Sequence, residues 1–393
     1  PPIPPFGRSR QEPARHAGRM PTIIKASDAA DFLALVPALA GYRPRQSLAL
    51  VLFRGKRTAG VMRYDLPDPD AVEAMASTTI GLACKVDRID GIAIVIYTDG
   101  GFRDDPSGPI AWQKLVAALE KRAHVCGLRV VEALCVAGDA WGSYEDAEAR
   151  PLSEVLQREA ELPMQVPTGD QGAGAYLPEV DLAEKERLGR ALLAIDDAAE
   201  VLLAAPADAE GADVPSLARL DPRALAAVGA LDDLPELLED ALLWDTEALD
   251  AFSGAALLWC LCRPALRDVA LQQWAGDIRS GELALDAQLR WEAGHEYPVE
   301  LGARFCGEGP RPDPGRLHRA RNLVRRIAAA APRDARPGPL AAAAWLSWAL
   351  GGSTHAGWYA ERALEIDPGH GLSQIVMTMC AASHLPEWAF ARE

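Results

Sequence analysis

An uninterrupted apolar run of six residues, Leu48 to Phe53, follows the polar segment Gly41-Tyr42-Arg43-Pro44-Arg45-Gln46-Ser47. Past a turn at Arg54 to Arg57, the chain continues into Arg63-Tyr64-Asp65-Leu66-Pro67. A run so short and continuous predicts a strand buried on both faces, and Thr58 to Leu66 predicts its antiparallel hairpin partner. Upstream, Ser27 or Asp28 caps a helix reaching about Leu39, with Phe32, Leu35, Val36 and Leu39 on one face and Pro37 shortening or bending it. A helix from about Asp70 to Lys85, a strand over Gly91 to Tyr97, a helix over Ile110 to Cys126 and a strand over Leu128 to Ala137 follow. Strands alternating with helices at this spacing predict a largely parallel or mixed sheet, flanked by helices and joined by right-handed crossovers.

Beyond Trp141 no further strand is expected. Pro163, Pro167, Gly169, Gly172, Gly174 and Pro178 predict an exposed linker or loop, and Pro206 to Pro215 a second irregular stretch after a helix near residues 181 to 204. From Leu220 onward the apolar spacing is helical to the end. The expected organisation is therefore a leader at 1–19, an α/β domain at 20–162, a linker and connecting helix at 163–219, and an all-α domain at 220–393. The leader combines five prolines with four arginines and one glutamate, a composition that builds no core. It reads either as an extension ahead of a natural start at Met20 or as an electrostatic arm of charge +3. Near the end, Ala344, Trp348, Gly351, Ala356, Ala360, Ala363 and Pro368 occupy the small and apolar positions of a single tetratricopeptide-like unit. Gly254 to Trp274 is a degenerate candidate for a second copy. Because repeat arrays need about three units to bury their faces, the hairpin is either an internal packing element or part of a partner-binding groove.

Several of these segments together carry a family resemblance. They are the Ala26 to Leu39 helix, the Gly41-Tyr42-Arg43-Pro44 turn, Ser47-Leu48, Arg63-x-Asp65-Leu66-Pro67, Tyr97-Thr98-Asp99, Trp141-Gly142-Ser143-Tyr144 and the Leu340 to Pro368 stretch. Over most of residues 22 to 390 the chain resembles the actinobacterial family called domain of unknown function 4192. The resemblance implies a bacterial lineage and a shared fold; it implies no activity and names no catalytic residue.

Charge and motif content narrow the function classes. With 40 basic against 56 acidic residues, the net charge of −16 opposes non-specific attraction to nucleic acid or to an anionic membrane, so neither is an expected partner. Seven scattered cysteines, an odd number in a chain of 393 residues, form no disulfide framework and predict a cytoplasmic setting. No apolar run reaches the 18 residues of a membrane span. No Gly-x-Ser-x-Gly elbow and no phosphate-binding Gly-x4-Gly-Lys-Ser/Thr loop occurs, and Gly169 to Gly174 lacks the strand and helix context of a dinucleotide site. The histidines never recur at i, i+4, Cys260-x-Cys262 has no nearby histidine pair, and Asp99, Asp104 and Asp105 around Gly100-Gly101 miss the calcium-loop spacing. No metal or other cofactor is expected.

What remains is a polar set at the strand ends. Arg43, Ser47, Arg63, Asp65, Thr98 and Asp99 converge if the hairpin and the Gly91 to Tyr97 strand are neighbours, and a hydroxyl near arginine and two carboxylates suits a phosphorylated or otherwise anionic ligand. The same residues equally suit a structural role: Ser47 as a turn cap, Arg63 with Asp65 as a salt bridge, Asp99 as a turn stabiliser. Trp141 and Tyr144 either line a pocket rim or anchor the chain to the sheet. Two functional classes follow. One is a binding or adaptor protein whose helical domain engages a protein partner; the other is an enzyme acting on an anionic small molecule at the strand ends.

Overall fold

In the computed structural model, residues 26–105, 108–204 and 220–390 are described; the leader, Met20 and the Pro206 to Pro215 stretch lie outside them. Asp28 caps helix α1 (Ala29–Ala40) by accepting from the Asp31 amide, and Gly41, at a φ of +82°, ends it by donating to the Pro37 carbonyl. Only glycine adopts that left-handed turn cheaply, and the turn aims the chain into strand β1 (Ser47–Arg54). β1 takes the centre of a hairpin with β2 (Arg57–Asp65) and also pairs antiparallel with β3 (Gly91–Tyr97). β3 pairs in parallel with β4 (Arg129–Val136), which gives a mixed five-stranded sheet of order β2-β1-β3-β4-β5.

The fifth strand, β5 (Trp141–Ser143), was not expected from the sequence: it runs antiparallel to β4, pairing Trp141 with Val136. Three residues carry no readable periodicity, and the strand exists only because β4 offers it an edge.

Burial alternates along the sheet. Leu48, Leu50, Leu52, Ile92, Ile94 and Ile96 face α2 (Val72–Ala83) and α3 (Gln113–Val125). Ala49, Val51, Ala93 and Val95 face α1 and α4 (Leu152–Ala160). The crossovers β2-α2-β3 and β3-α3-β4 step across the sheet in the same direction, so their shared right hand puts both helices on one side. The polar strand ends are left to the loops.

The second half is helical throughout: α5 (Leu182–Ala204), α6 (Pro222–Gly229), α7 (Leu234–Ala241), α8 (Ala251–Leu261), α9 (Pro264–Ala275), α10 (Ile278–Glu292), α11 (Val299–Phe305), α12 (Pro314–Ala330), α13 (Pro337–Ala349), α14 (Ser353–Leu364) and α15 (Gly371–Ala381). A single apolar cluster runs from Leu188 to Trp388. Leu188, Ala191 and Ile195 of α5 belong to it, so the connecting helix packs into the helical half. Every residue of α13 is buried, which makes the α13–α14 hairpin an inner element; its alanines 344, 356, 360 and 363 are buried and Gly351 turns the chain at a φ of +84°. No helix among the described residues is long and apolar enough to cross a membrane.

Candidate functional site

Register places the expected polar residues. Ser47 lies opposite Asp65 on one side and Tyr97 on the other, while Arg63 lies opposite Ala49, so the side chains of Ser47, Arg63, Asp65 and Tyr97 share the α1 and α4 face at one end of the sheet. The Arg63 guanidinium, only 9% exposed, donates to Ser47 Oγ at 2.9 Å, to Asp65 at 2.6 Å and to Thr354 Oγ1 of α14 at 2.9 Å. Ser47 in turn donates to the Arg45 carbonyl at 2.6 Å. Arg45 holds both Asp99 oxygens at 3.1 and 3.0 Å, and the Asp99 amide donates to Gln46 Oε1 at 2.9 Å. Thr98 turns to its own loop, where its hydroxyl accepts from the Gly100 amide at 3.2 Å. Arg43 clasps Glu159 of α4 at 2.9 and 2.5 Å, and that carboxylate raises the Arg43 guanidinium above its ordinary range. Beside this pair, burial raises the Tyr97 phenol, whose hydroxyl has no partner among the described residues.

The glycine-rich segment lies against the same end. The Arg43 amide donates to the Gly169 carbonyl at 2.8 Å. The Gln171 side chain accepts from the Arg45 amide at 3.0 Å and donates to the Arg45 carbonyl at 2.9 Å, an imitation of strand pairing. Further on, Tyr176 meets Trp358 edge to face at 5.8 Å, and its carbonyl accepts from Arg325 at 2.6 Å. Thus Arg43, Ser47, Arg63, Asp65 and Asp99 are brought to one end, but each guanidinium there already holds a carboxylate, and the network ties the α/β half to α14. Glu159, Gln171 and Thr354 complete it; Gly169 to Gly174 was the one sequence signal pointing at this segment.

Trp141 and Tyr144 lie elsewhere. The register Ser47, Tyr97, Val136, Trp141 puts the indole three strand spacings from Ser47, roughly 14 Å. It is 2% exposed on the α1 and α4 face, under the Arg150 guanidinium at 5.0 Å. Tyr144 packs on the opposite face and donates to the Ala111 carbonyl at 2.5 Å. Both read as anchors of β5. A cleft of about 710 Å³ beside Trp141 is rimmed by Asp28, Arg150, Glu154 and Arg158, several of them ion-paired.

A different concavity lies in the helical half. Leu283, Asp286, Ala287 and Arg290 of α10 face His295, Glu296, Pro298, Glu300 and Leu301 across a groove of about 690 Å³. Leu283 and Trp291 lie with Ala287 on the i, i+4, i+8 stripe of α10 and are 57% and 58% exposed; Val299, between the lining residues Pro298 and Glu300 in sequence, is 80% exposed. Arg290 is occupied by Asp286 at 3.1 Å, and Glu296 and Glu300 on the rim have no ion-pair partner among the described residues. Among the described residues no group of three or more histidine, cysteine or acidic side chains is arranged to hold a metal ion.

Neither the curated proteins nor the solved structures contain a match to this chain. The family model described as a domain of unknown function, DUF4192, matches residues 30–293 and 314–387, and with most of its length so covered the chain belongs to that family.

Proposed function

We propose that this is a binding protein whose helical half docks a partner protein in the α10–α11 groove, and that the docked segment is apolar and flanked by lysine or arginine. The observation that carries this reading is exposed Leu283 in the groove beside an acidic rim, Glu296 and Glu300, that has no basic partner among the described residues. Exposed Trp291 lies further along the same stripe of α10, and exposed Val299 is next in sequence to the lining residues Pro298 and Glu300. Apolar side chains of that size gathered around a concavity mark an interaction surface, and a rim of one sign selects the opposite sign in the partner. At the strand ends the three arginines are already paired, so nothing there favours the enzyme reading over the binding one. All seven cysteines are free, which supports a reducing, cytoplasmic setting.

The test is photocrosslinking in the native host from p-benzoylphenylalanine placed at Leu283 or Trp291, with the still more exposed Val125 on α3 as control. The expected result is one defined protein adduct from the groove positions only, cross-linked through an apolar, basic peptide. Identical adducts from Val125, an acidic peptide, or an adduct with a second copy of this chain each overturn the reading.

A further inference from the structure

Four arginines of low exposure hold a carboxylate each: Arg63 with Asp65, Arg267 with Asp268, Arg316 with Glu239 and Arg326 with Glu184. Arg321 and Arg325, one turn apart on α12, hold none among the described residues. Arg321 bonds to His318 Nδ1 at 3.2 Å and Arg325 to the Tyr176 carbonyl at 2.6 Å, while the Nε of both is buried with no partner. Beside them stands Tyr359 of α14, fully buried, its hydroxyl next to the Arg325 guanidinium but in full hydrogen-bond geometry with no described residue. One turn earlier, His355 faces the same two guanidinium groups and the carbonyls of Gln171 and Ala173, with Gly174 of the glycine-rich segment against its ring.

Electrostatics agree with the geometry. Burial depresses Arg321, with Arg325 adding to the effect, and burial followed by Arg321 depresses His355; no carboxylate acts on either. In a protein of net charge −16 this is a local arrangement rather than a shortage of acids. Half-buried cations without a counter-charge, beside a fully buried hydroxyl, are stabilised when an anion joins them.

We propose that Arg321, Arg325, Tyr359 and His355 form a binding site for a phosphate group where α12, α14 and the 169–174 segment meet. Guanidinium forks, a phenol and an imidazole reach the site from two helices, which suits an oxyanion with three or more oxygens better than a planar carboxylate. The site is independent of the α10–α11 groove.

The experiment titrates the whole protein with inorganic phosphate and, separately, with glycerol 3-phosphate, against malonate and against sodium chloride at matched ionic strength, following Tm and binding heat. A saturable effect of either phosphate beyond those of malonate and chloride is expected, and which of the two binds more tightly distinguishes the free ion from a phosphomonoester. Arg321→Gln combined with Arg325→Gln abolishes the effect while the unliganded protein stays folded, with the loss of the Arg325 bond to the Tyr176 carbonyl as its only expected cost to the joint between the halves. Tyr359→Phe weakens binding by about tenfold or more while the unliganded protein stays folded, because the ring that fills the core is kept. Arg45→Gln, at a paired and exposed position, leaves binding intact. A phosphate effect no larger than that of malonate or chloride overturns the proposal, as does an effect that survives in the double variant. If the double variant does not fold, undiminished phosphate binding in Tyr359→Phe does the same.

Discussion

Arg63 and Arg45 differ in role. Both are ion-paired at the same end of the sheet, yet Arg63 is 9% exposed and reaches three side chains, one of them Thr354 in the other half, whereas Arg45 is 63% exposed and reaches Asp99 alone through its side chain. Solvent screens the second pair and side-chain entropy offsets much of what remains. Arg63→Ala is therefore expected to lower stability by about 2 kcal/mol, the sum of two or three modest hydrogen bonds, since the Asp65 carboxylate it abandons is open to water. Arg45→Ala leaves the urea midpoint where it is. Urea denaturation of the two variants side by side checks this, and equal effects would show that burial does not rank these arginines.

At the scale of elements, the readable parts were those whose own residues dictate them. β1 and β3 are continuous apolar runs because both faces are covered, and Asp28 and Gly41 bracket α1 with a cap at each end. Ser47, Arg63 and Asp65 could be grouped because a hairpin fixes their register. Thr354, 291 positions from Arg63, could not, and neither could the anion-facing role of Arg321 and Arg325, since arginines on an amphipathic helix read as a solvated face. β5 was lost for want of length. Helix packing hides its own rule at Gly338: a Cβ there would come within 2.3 Å of the Leu261 carbonyl oxygen, because α13 lies directly on the end of α8. Helix propensity alone favours alanine at that position by about 1 kcal/mol. The clash reverses the sign, and Gly338→Ala is expected to destabilise by about 1–3 kcal/mol, the usual range for overpacking. A rise in Tm for this variant would mean that α13 has room to shift away from α8.

Three apolar clusters form among the described residues, and none of them crosses between the two halves. The two that sandwich the sheet draw on residues before 163, and the third draws on residues from 177 onward. What joins the halves is mostly polar: Arg63 with Thr354, Gln171 with the Arg45 backbone, Arg325 with the Tyr176 carbonyl, and the Tyr176–Trp358 edge contact. Polar joints of this kind couple domains weakly, because each hydrogen bond replaces one to water, whereas each core is cooperative within itself. A cavity cut in one core should therefore be felt in that core alone. Leu50→Ala, at a fully buried site of the sheet, is expected to cost about 2–5 kcal/mol and to lower amide hydrogen-exchange protection along β1 and β3 while leaving α13 and α14 unchanged. Trp348→Ala, fully buried in α13, should do the converse at about 3–5 kcal/mol. Loss of protection in both halves from either substitution would show that the Arg63, Gln171 and Tyr176 joint transmits unfolding. The phosphate site proposed at that joint would then report on the folding of the entire chain rather than on the meeting of two parts.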